Sequence, residues 1–528
     1  VSGTRSLALV VAALIATPPS AALRAQSLAM TSSYVQLAGE KIGEFVVDDL
    51  DGDGLDDLLL ATEGDDLIAR HLRIWLRRTG EPALAANADR SFPVPRDVVA
   101  FTLANLDGKP GAEIVLFSST QVVGLHWQKD AERPTPFRIG LADLLWQPPN
   151  LPHTYWLDPG AADFDGDGRD DLLVPSANGF RVFRTQRRQP EQGPKEGTVE
   201  EPGALTFTSF DLTLPPATKK NPADGLVQLK ARAQSFELKV GRSSSRGVRS
   251  VLSLDDSVPI PAILDFDGDG DRELAVVHDG RLMTWHWADG FEALPQARLT
   301  LPALGANLLN PSDSVQLADM NGDGRSDVVV VTAVASTDQL QSRVEVFLQG
   351  DDGSFAEKPA DRLLLEGFVE IPRLNDVDGD GRIDLTIGSL DTDVVAALTS
   401  GGSGTLDAQL NVFRNDFVGA RPRFGRPLAL AERVAVSAKI TRGRVRDRVL
   451  MTFVADIDGN GTRDFVQRSD GVTLSVRPLR TAERRWSLGE SVWQTKVDNS
   501  ASVIARETAG RLVLWIVEDR QVLRLEAR

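Results

Sequence analysis

The sequence predicts an all-β fold: a β-propeller of four-stranded blades, eight favoured and seven the alternative. Three observations carry this prediction. A nine-residue acidic loop recurs seven times, short aliphatic runs flank it, and a strand of alternating polar and apolar residues follows.

The first loop reads Asp49-Leu-Asp51-Gly-Asp53-Gly-Leu55-Asp-Asp57. It begins again at Asn105, Asp163, Asp265, Asp319, Asp376 and Asp456, and four of the six steps fall near 56 residues, which makes that length the repeating unit. The run Phe45-Val46-Val47 precedes the first loop and Leu58-Leu59-Leu60 follows it; Val328 to Val331 follow the fifth. Runs of four to six β-branched or aliphatic residues suit buried strands better than helices. Next come Leu72–Arg77, Phe180–Arg184, Leu282–Trp287 and Val344–Leu348, where alternation marks a strand with one wet face. A weaker fourth strand, such as Leu363–Leu365, precedes the next loop. Four antiparallel strands per unit describe a propeller blade.

The C-terminal residues 501–528 resemble one more unit without its loop ligands. Its strands would be Ser502–Ala505, Leu512–Ile516 and Gln521–Leu525. The fourth strand of that unit would be Tyr34–Leu37, so the two ends of the chain would close the ring and leave no exposed sheet edge.

Two stretches lengthen the repeat. One, about 186–256, is expected as an insertion, basic and rich in Pro and Gly in its first part; a smaller one is expected around 421–448. Residues 1–25 read as a signal peptide: Arg5, then the apolar Leu7–Thr17, then small residues, with cleavage after Ala22 or Ala25. The propeller would occupy 26–528. The apolar stretch is too short to span a bilayer, and no later one is long enough.

Composition narrows the chemistry. There is no cysteine, which rules out disulfides, thiolate metal sites and a cysteine nucleophile. The net charge of −17 argues against nucleic acid as a partner. Much of that charge sits in the loops, where carboxylates repel one another unless a cation lies among them. Six divalent ions would leave a net charge of about −5.

Loop positions 1, 3 and 5 put three carboxylates on one side of a turn, position 7 offers a carbonyl, and an acid at position 9 closes the set. Glycines at positions 4 and 6 allow the positive φ that such a turn requires. An all-oxygen set in a flexible loop suits Ca²⁺ better than Mg²⁺, and the loops contain no His or Cys for Zn²⁺. An EF-hand would need a Glu at position 12 and flanking helices. That position holds Leu60, Val174, Val276, Val330, Ile387 and Gln467, and the flanks are strands.

The pattern F-x-x-x-D-x-D-G-D-G-x-x-D-L-x-V resembles FG-GAP and VCBS repeats, as in the integrin α-subunit propeller and many bacterial secreted proteins. Asp351-Asp-Gly-Ser-Phe355 is similar to the G-x-F turn of VCBS repeats. The resemblance implies about six Ca²⁺ sites. The first is Asp49, Asp51, Asp53, the Leu55 carbonyl and Asp57. The next comprises Asp163, Asp165, Asp167, Arg169 (carbonyl) and Asp171. Asp265, Asp267, Asp269, Asp271 (carbonyl) and Glu273 belong to the fourth loop, and Asp319, Asn321, Asp323, Arg325 (carbonyl) and Asp327 to the fifth. Asp376, Asp378, Asp380, Arg382 (carbonyl) and Asp384 make the sixth. Asp456, Asp458, Asn460, Thr462 (carbonyl) and Asp464 make the seventh, with an amide in place of one carboxylate. The second loop, Asn105 to Glu113, places Lys109 among its ligands and is expected to be empty, its ammonium neutralising Asp107 and Glu113.

These features imply a secreted, periplasmic or surface-exposed bacterial protein, monomeric, whose ions are structural. The first functional reading is a non-catalytic scaffold that binds a glycan or protein. The alternative is an extracellular polysaccharide lyase on the same frame, since some lyases resemble this fold. A lyase needs a base, and the segment His153-Thr-Tyr155-Trp156-Leu-Asp158 is the one suggestive cluster; its plainer reading is a packed loop. Trp285 and Trp287 are read as packing between blades. No nucleophile elbow or phosphate loop occurs.

Overall fold

The structure, a computed structural model, describes residues 28–527 apart from 142–152, 188–204, 217–260, 303–313, 391–402 and several shorter segments. The expected signal peptide lies outside the described residues. Eight sheets of four or more strands make eight blades of a closed propeller.

Blade 1 shows the pattern, with strands Glu40–Asp48, Asp57–Gly64, Arg70–Trp75 and Arg90–Pro93 hydrogen-bonded in that order, each antiparallel to the last. The acidic loop joins the first strand to the second. The second strand is apolar over Leu58–Ala61 because both of its faces are covered there. Leu58 and Leu60 pack toward blade 8, with Trp515 and Val522. Leu59 and Ala61 pack toward blade 2, with Ile114 and Leu116. Each fully buried aliphatic side chain of this kind contributes roughly 1.5–3 kcal/mol.

The alternation repeats around the ring, so that each neighbouring pair of blades shares one apolar cluster. Trp285 and Trp287 lie in the cluster between blades 3 and 4, against Phe164, Phe180 and Leu173, as read from the sequence. Phe355 of the G-x-F turn joins the cluster between blades 4 and 5.

Blade 8 closes the ring with both ends of the chain. Its strands Ser502–Thr508, Arg511–Val517 and Gln521–Ala527 are followed by Met30–Gln36, which pairs antiparallel with the last. Met30 faces Ala527, Tyr34 faces Leu523 and Gln36 faces Gln521.

The structure changes the sequence reading in four places. The stretch 186–256 is not wholly insertion: Leu205–Thr213 inside it pairs with Gly179–Arg187 as the outer strand of blade 3. Likewise Leu430–Thr441, within the stretch expected around 421–448, is a strand of blade 6 that pairs with Ser403–Phe413. Two additions were not foreseen. Tyr155–Trp156 pairs in parallel with Val98–Ala104 as a fifth strand of blade 2. A hairpin, Leu479–Ala482 with Arg485–Leu488, leaves blade 7 before its outer strand Trp493–Lys496, and Trp486 N–H donates to Ala429 of blade 6.

Candidate metal centres

Each acidic loop is built by its own carboxylates capturing backbone amides. In loop 1, Asp49 accepts from the N–H groups of Gly52 (2.8 Å), Asp53 (3.1 Å) and Gly54 (2.8 Å). Position 1 is therefore the hub of the turn. Asp53 accepts from Leu55 N–H at 3.0 Å. Gly52 and Gly54 have φ of 79° and 82°, values a side chain would strain. Loop 6 repeats the arrangement, with Asp376 accepting from Gly379, Asp380 and Gly381.

Position 9 ties the loop to the blade. Asp57 accepts from Leu50 N–H (3.0 Å) at loop position 2 and from Arg77 N–H (2.7 Å) beyond the third strand. Asp171, Asp327, Asp384 and Asp464 make the corresponding bond to Thr185, Gln349, Asn415 and Leu479. These acids are buried, and burial, aided by the neighbouring loop carboxylates, pushes them up: Asp57, Asp171 and Asp384 to about 7, Asp327 and Asp464 to about 6.

Among the described residues, sets of donor atoms that converge within 4.8 Å of one another include Asp49, Asp51 and Asp53; Asp163, Asp165 and Asp167; Asp376, Asp378 and Asp384; Asp267, Asp269, Glu273 and His286; and Asp107, Glu113 and His126. In loop 5, Asp323 accepts from Asn321 at 2.9 Å, and in loop 7 Asn460 caps the Thr462 amide at 2.7 Å. The set fits a cation: oxygens crowd one another, and Asp267 Oδ1 is closed off from solvent with no hydrogen bond.

Several features were beyond the sequence reading. The arginines at position 7, expected to offer only a carbonyl, turn their guanidinium groups onto position 5: Arg169 pairs with Asp167 and Arg325 with Asp323 at 2.6 Å. From the third strand, Arg184 reaches Asp165 at 2.6 Å, and Arg414 reaches Asp378 (2.9 Å) and Asp380 (3.0 Å). The apolar residue at position 2, such as Leu50, Phe164 or Phe266, is buried in the core.

The loops also fasten blade to blade. Ala112 N–H donates to Leu50 O, Asp170 N–H to Asn105 O, Ser326 N–H to Phe266 O and Arg463 N–H to Val377 O, at 2.7–3.1 Å. A Cβ at Gly52 would collide with Pro110 of the next loop.

Loop 2 keeps the turn with different chemistry. Asn105 retains one capping bond, from Gly108 N–H at 2.9 Å. Pro110 stands at position 6, so the positive φ moves on to Gly111, at 107°. Lys109 folds onto Asp107, while Glu113 is met by His126 Nδ1 at 3.1 Å and not by the lysine. An ion here would face an ammonium and lack two carboxylates. Asn105→Asp with Lys109→Asp should add one bound Ca²⁺ per chain by calorimetry; an unchanged stoichiometry would show that charge does not decide occupancy in this loop.

The segment considered for a base is engaged. His153 lies 2.6 Å from Glu63 through Nδ1 and 3.4 Å from Glu44 through Nε2, in space left by Gly43. Burial alone would lower its pKa, but the bonds to Glu44 and Glu63 outweigh it and hold it above the usual value. Trp156 packs on Phe101, ring centres 5.2 Å apart.

Residues 265–330 and 319–387 match the FG-GAP-like repeat family. A 204-residue stretch is 28% identical to integrin alpha-4 of Xenopus laevis, covering 36% of this chain. The chain spans 18% of that relative's length. Two solved structures are similar in outline. One is BBS1N in complex with ARL6DN, with TM-score 0.36 and 10% identity over 93% of this chain and 96% of that one. The other is the WD40 domain of SCAP from fission yeast, with TM-score 0.35 and 13% identity over 95% of each. The repeat match falls on blades 4 to 6, where the acidic loops and the inner strands coincide with it. Residues 265–387 thus carry FG-GAP-like repeats within an eight-bladed β-propeller, and part of the chain is similar to an integrin α subunit.

Proposed function

We propose that this chain is a calcium-stabilised, non-catalytic binding scaffold that works outside the cell and presents its blade-connecting loops to a glycan or protein. The observation that carries the reading is the convergence of loop carboxylates above a buried position-9 acid in repeat after repeat. In loop 1, Asp49, Asp51, Asp53 and Asp57 would hold the ion; Ca²⁺ there would supply the positive charge that crowded oxygens lack. A charge-neutralised loop would then hold the first two strands of its blade and, through the bonds between loops, the next blade.

Residues 1–25 would direct export in a bacterium and be removed, leaving 26–528 as a monomeric propeller with an insertion inside 186–256. A catalytic role finds no free base in the His153 segment, whose imidazole contacts a carboxylate through each nitrogen.

A glycan array run with and without EGTA, beside a uronate-lyase absorbance assay, tests the reading. Calcium-dependent array hits with no absorbance change are expected. Lyase turnover would replace the scaffold reading with the enzymatic one.

A further inference from the structure

The two loops that end in glutamate are also the two that face a histidine. In the aspartate loops, the position-9 carboxylate accepts a backbone N–H from a residue near the third strand's end, as Asp57 does from Arg77 and Asp384 from Asn415. Glutamate reaches one carbon further. Its Oε1 meets an imidazole Nδ1 instead: His126 at 3.1 Å from Glu113, and His286 at 2.9 Å from Glu273. The pairing arises from register. Ile114 faces Leu125 and Leu274 faces Trp285, so the residue before the one and the residue after the other come side by side.

Only one of these loops keeps the carboxylates needed for a cation. In loop 2 the lysine occupies Asp107, and position 1 is an amide. In loop 4, one donor atom from each of Asp267, Asp269, Glu273 and His286 lies within 4.8 Å of all the others. His286 Nδ1 stands 3.9 Å from Asp267 Oδ2. Asp267 Oδ1 is shut away from solvent without a hydrogen-bond partner. Asp265 is occupied in shaping the turn, accepting from Gly268 (2.7 Å) and Gly270 (3.1 Å). Position 7 is Asp271, where loops 3, 5 and 6 carry an arginine.

An imidazole nitrogen changes which ion such a set prefers. Ca²⁺ and Mg²⁺ are bound through oxygen, whereas Zn²⁺ and its first-row neighbours gain from nitrogen. We propose that loop 4 is a mixed imidazole–carboxylate site that takes a divalent transition ion of the Zn²⁺ class in preference to Ca²⁺. Asp267, Asp269, Glu273 and Nδ1 of neutral His286 are its ligands, and the ion enters where Glu273 and His286 now touch. The loops that end in aspartate lack this nitrogen and remain all-oxygen sets. The proposal rests on the loop 4 geometry and not on calcium occupancy elsewhere.

The test uses the full chain, stripped of metal and equilibrated with micromolar Zn²⁺ in millimolar Ca²⁺. Metal analysis should find one zinc per chain. Co²⁺ in place of Zn²⁺ should give a ligand-field absorption spectrum that requires His286. His286→Gln should lose the zinc and the cobalt spectrum while its far-ultraviolet dichroism and melting curve show a folded chain; His126→Gln should keep both. His286→Asp restores an all-oxygen set and should exchange the zinc for a calcium. Absence of bound zinc in the native chain, or zinc retained undiminished in His286→Gln, would overturn the proposal. Calcium content, read in the same samples, reports separately on the other loops.

Discussion

Stripping divalent ions at pH 8 should lower the melting temperature by on the order of 8 °C, and the loss should be smaller at pH 5. A site held at ten times its dissociation constant adds about 1.4 kcal/mol. Six such sites would give roughly 8 kcal/mol if additive, comparable with the net stability of a whole domain, and the unfolding entropy of a chain this long converts that to the stated shift. The pH dependence follows from the buried position-9 acids. Without an ion, Asp57, Asp171 and Asp384 are raised to about 7 and Asp327 and Asp464 to about 6, by burial first and by the other loop carboxylates after it. The folded state thus binds protons that the unfolded chain has already released. The stability this confers is complete below the ordinary carboxylate range and is lost as pH rises through 6 and 7. The chelated protein should therefore melt progressively lower from pH 5 to pH 8, and calcium should flatten the curve. Calorimetry with and without EGTA across that range checks this. Coincident melting curves at pH 8 would remove the structural role of the ions.

What was legible in the sequence follows from how each element is buried. Second strands are covered on both faces, so they stand out as uninterrupted aliphatic runs, and Val328–Val331 needs no context to be read. The loops were legible because a turn that captures its own amides uses Asp and Gly at fixed places. Outer strands were not. Leu205–Thr213, with the sequence LTFTSFDLT, keeps only Leu212 buried, and its polar residues made it look like part of an insertion. The histidines beside Glu113 and Glu273 were missed for a different reason. Each lies 13 residues away along the chain, and only the pairing of second and third strands brings it to the loop. The signal that could have found them is the covariation itself: where position 9 is Glu, the residue 13 further on is His.

Deleting residues 512–528 should convert a monomer into aggregates, because it removes the strands that join the last blade to the first. The removed part supplies Leu512, Leu514 and Ile516 to the cluster with blade 7, and Val513, Trp515 and Val522 to the cluster with blade 1. Arg524 goes with them; it is buried, lies over the Trp515 ring at 5.5 Å and pairs with Glu526 at 2.8 Å. Met30–Gln36 then has no partner, and the faces of blades 1 and 7 are open to water. Unpaired edges and apolar faces of that kind recruit other chains. A gentler substitution tests the same closure by register alone. Along Met30–Gln36 the side chains alternate, with Tyr34 70% exposed and Val35 1% exposed. Val35→Asp places a charge in the blade 8–blade 1 cluster and should cost several kcal/mol, on the order of 3, whereas Tyr34→Asp should change stability by less than about 0.5 kcal/mol. Light scattering and thermal melts read both. Equal effects of the two substitutions, or a monodisperse truncated chain with an unchanged melting curve, would show that the N-terminal strand does not close the ring in this register.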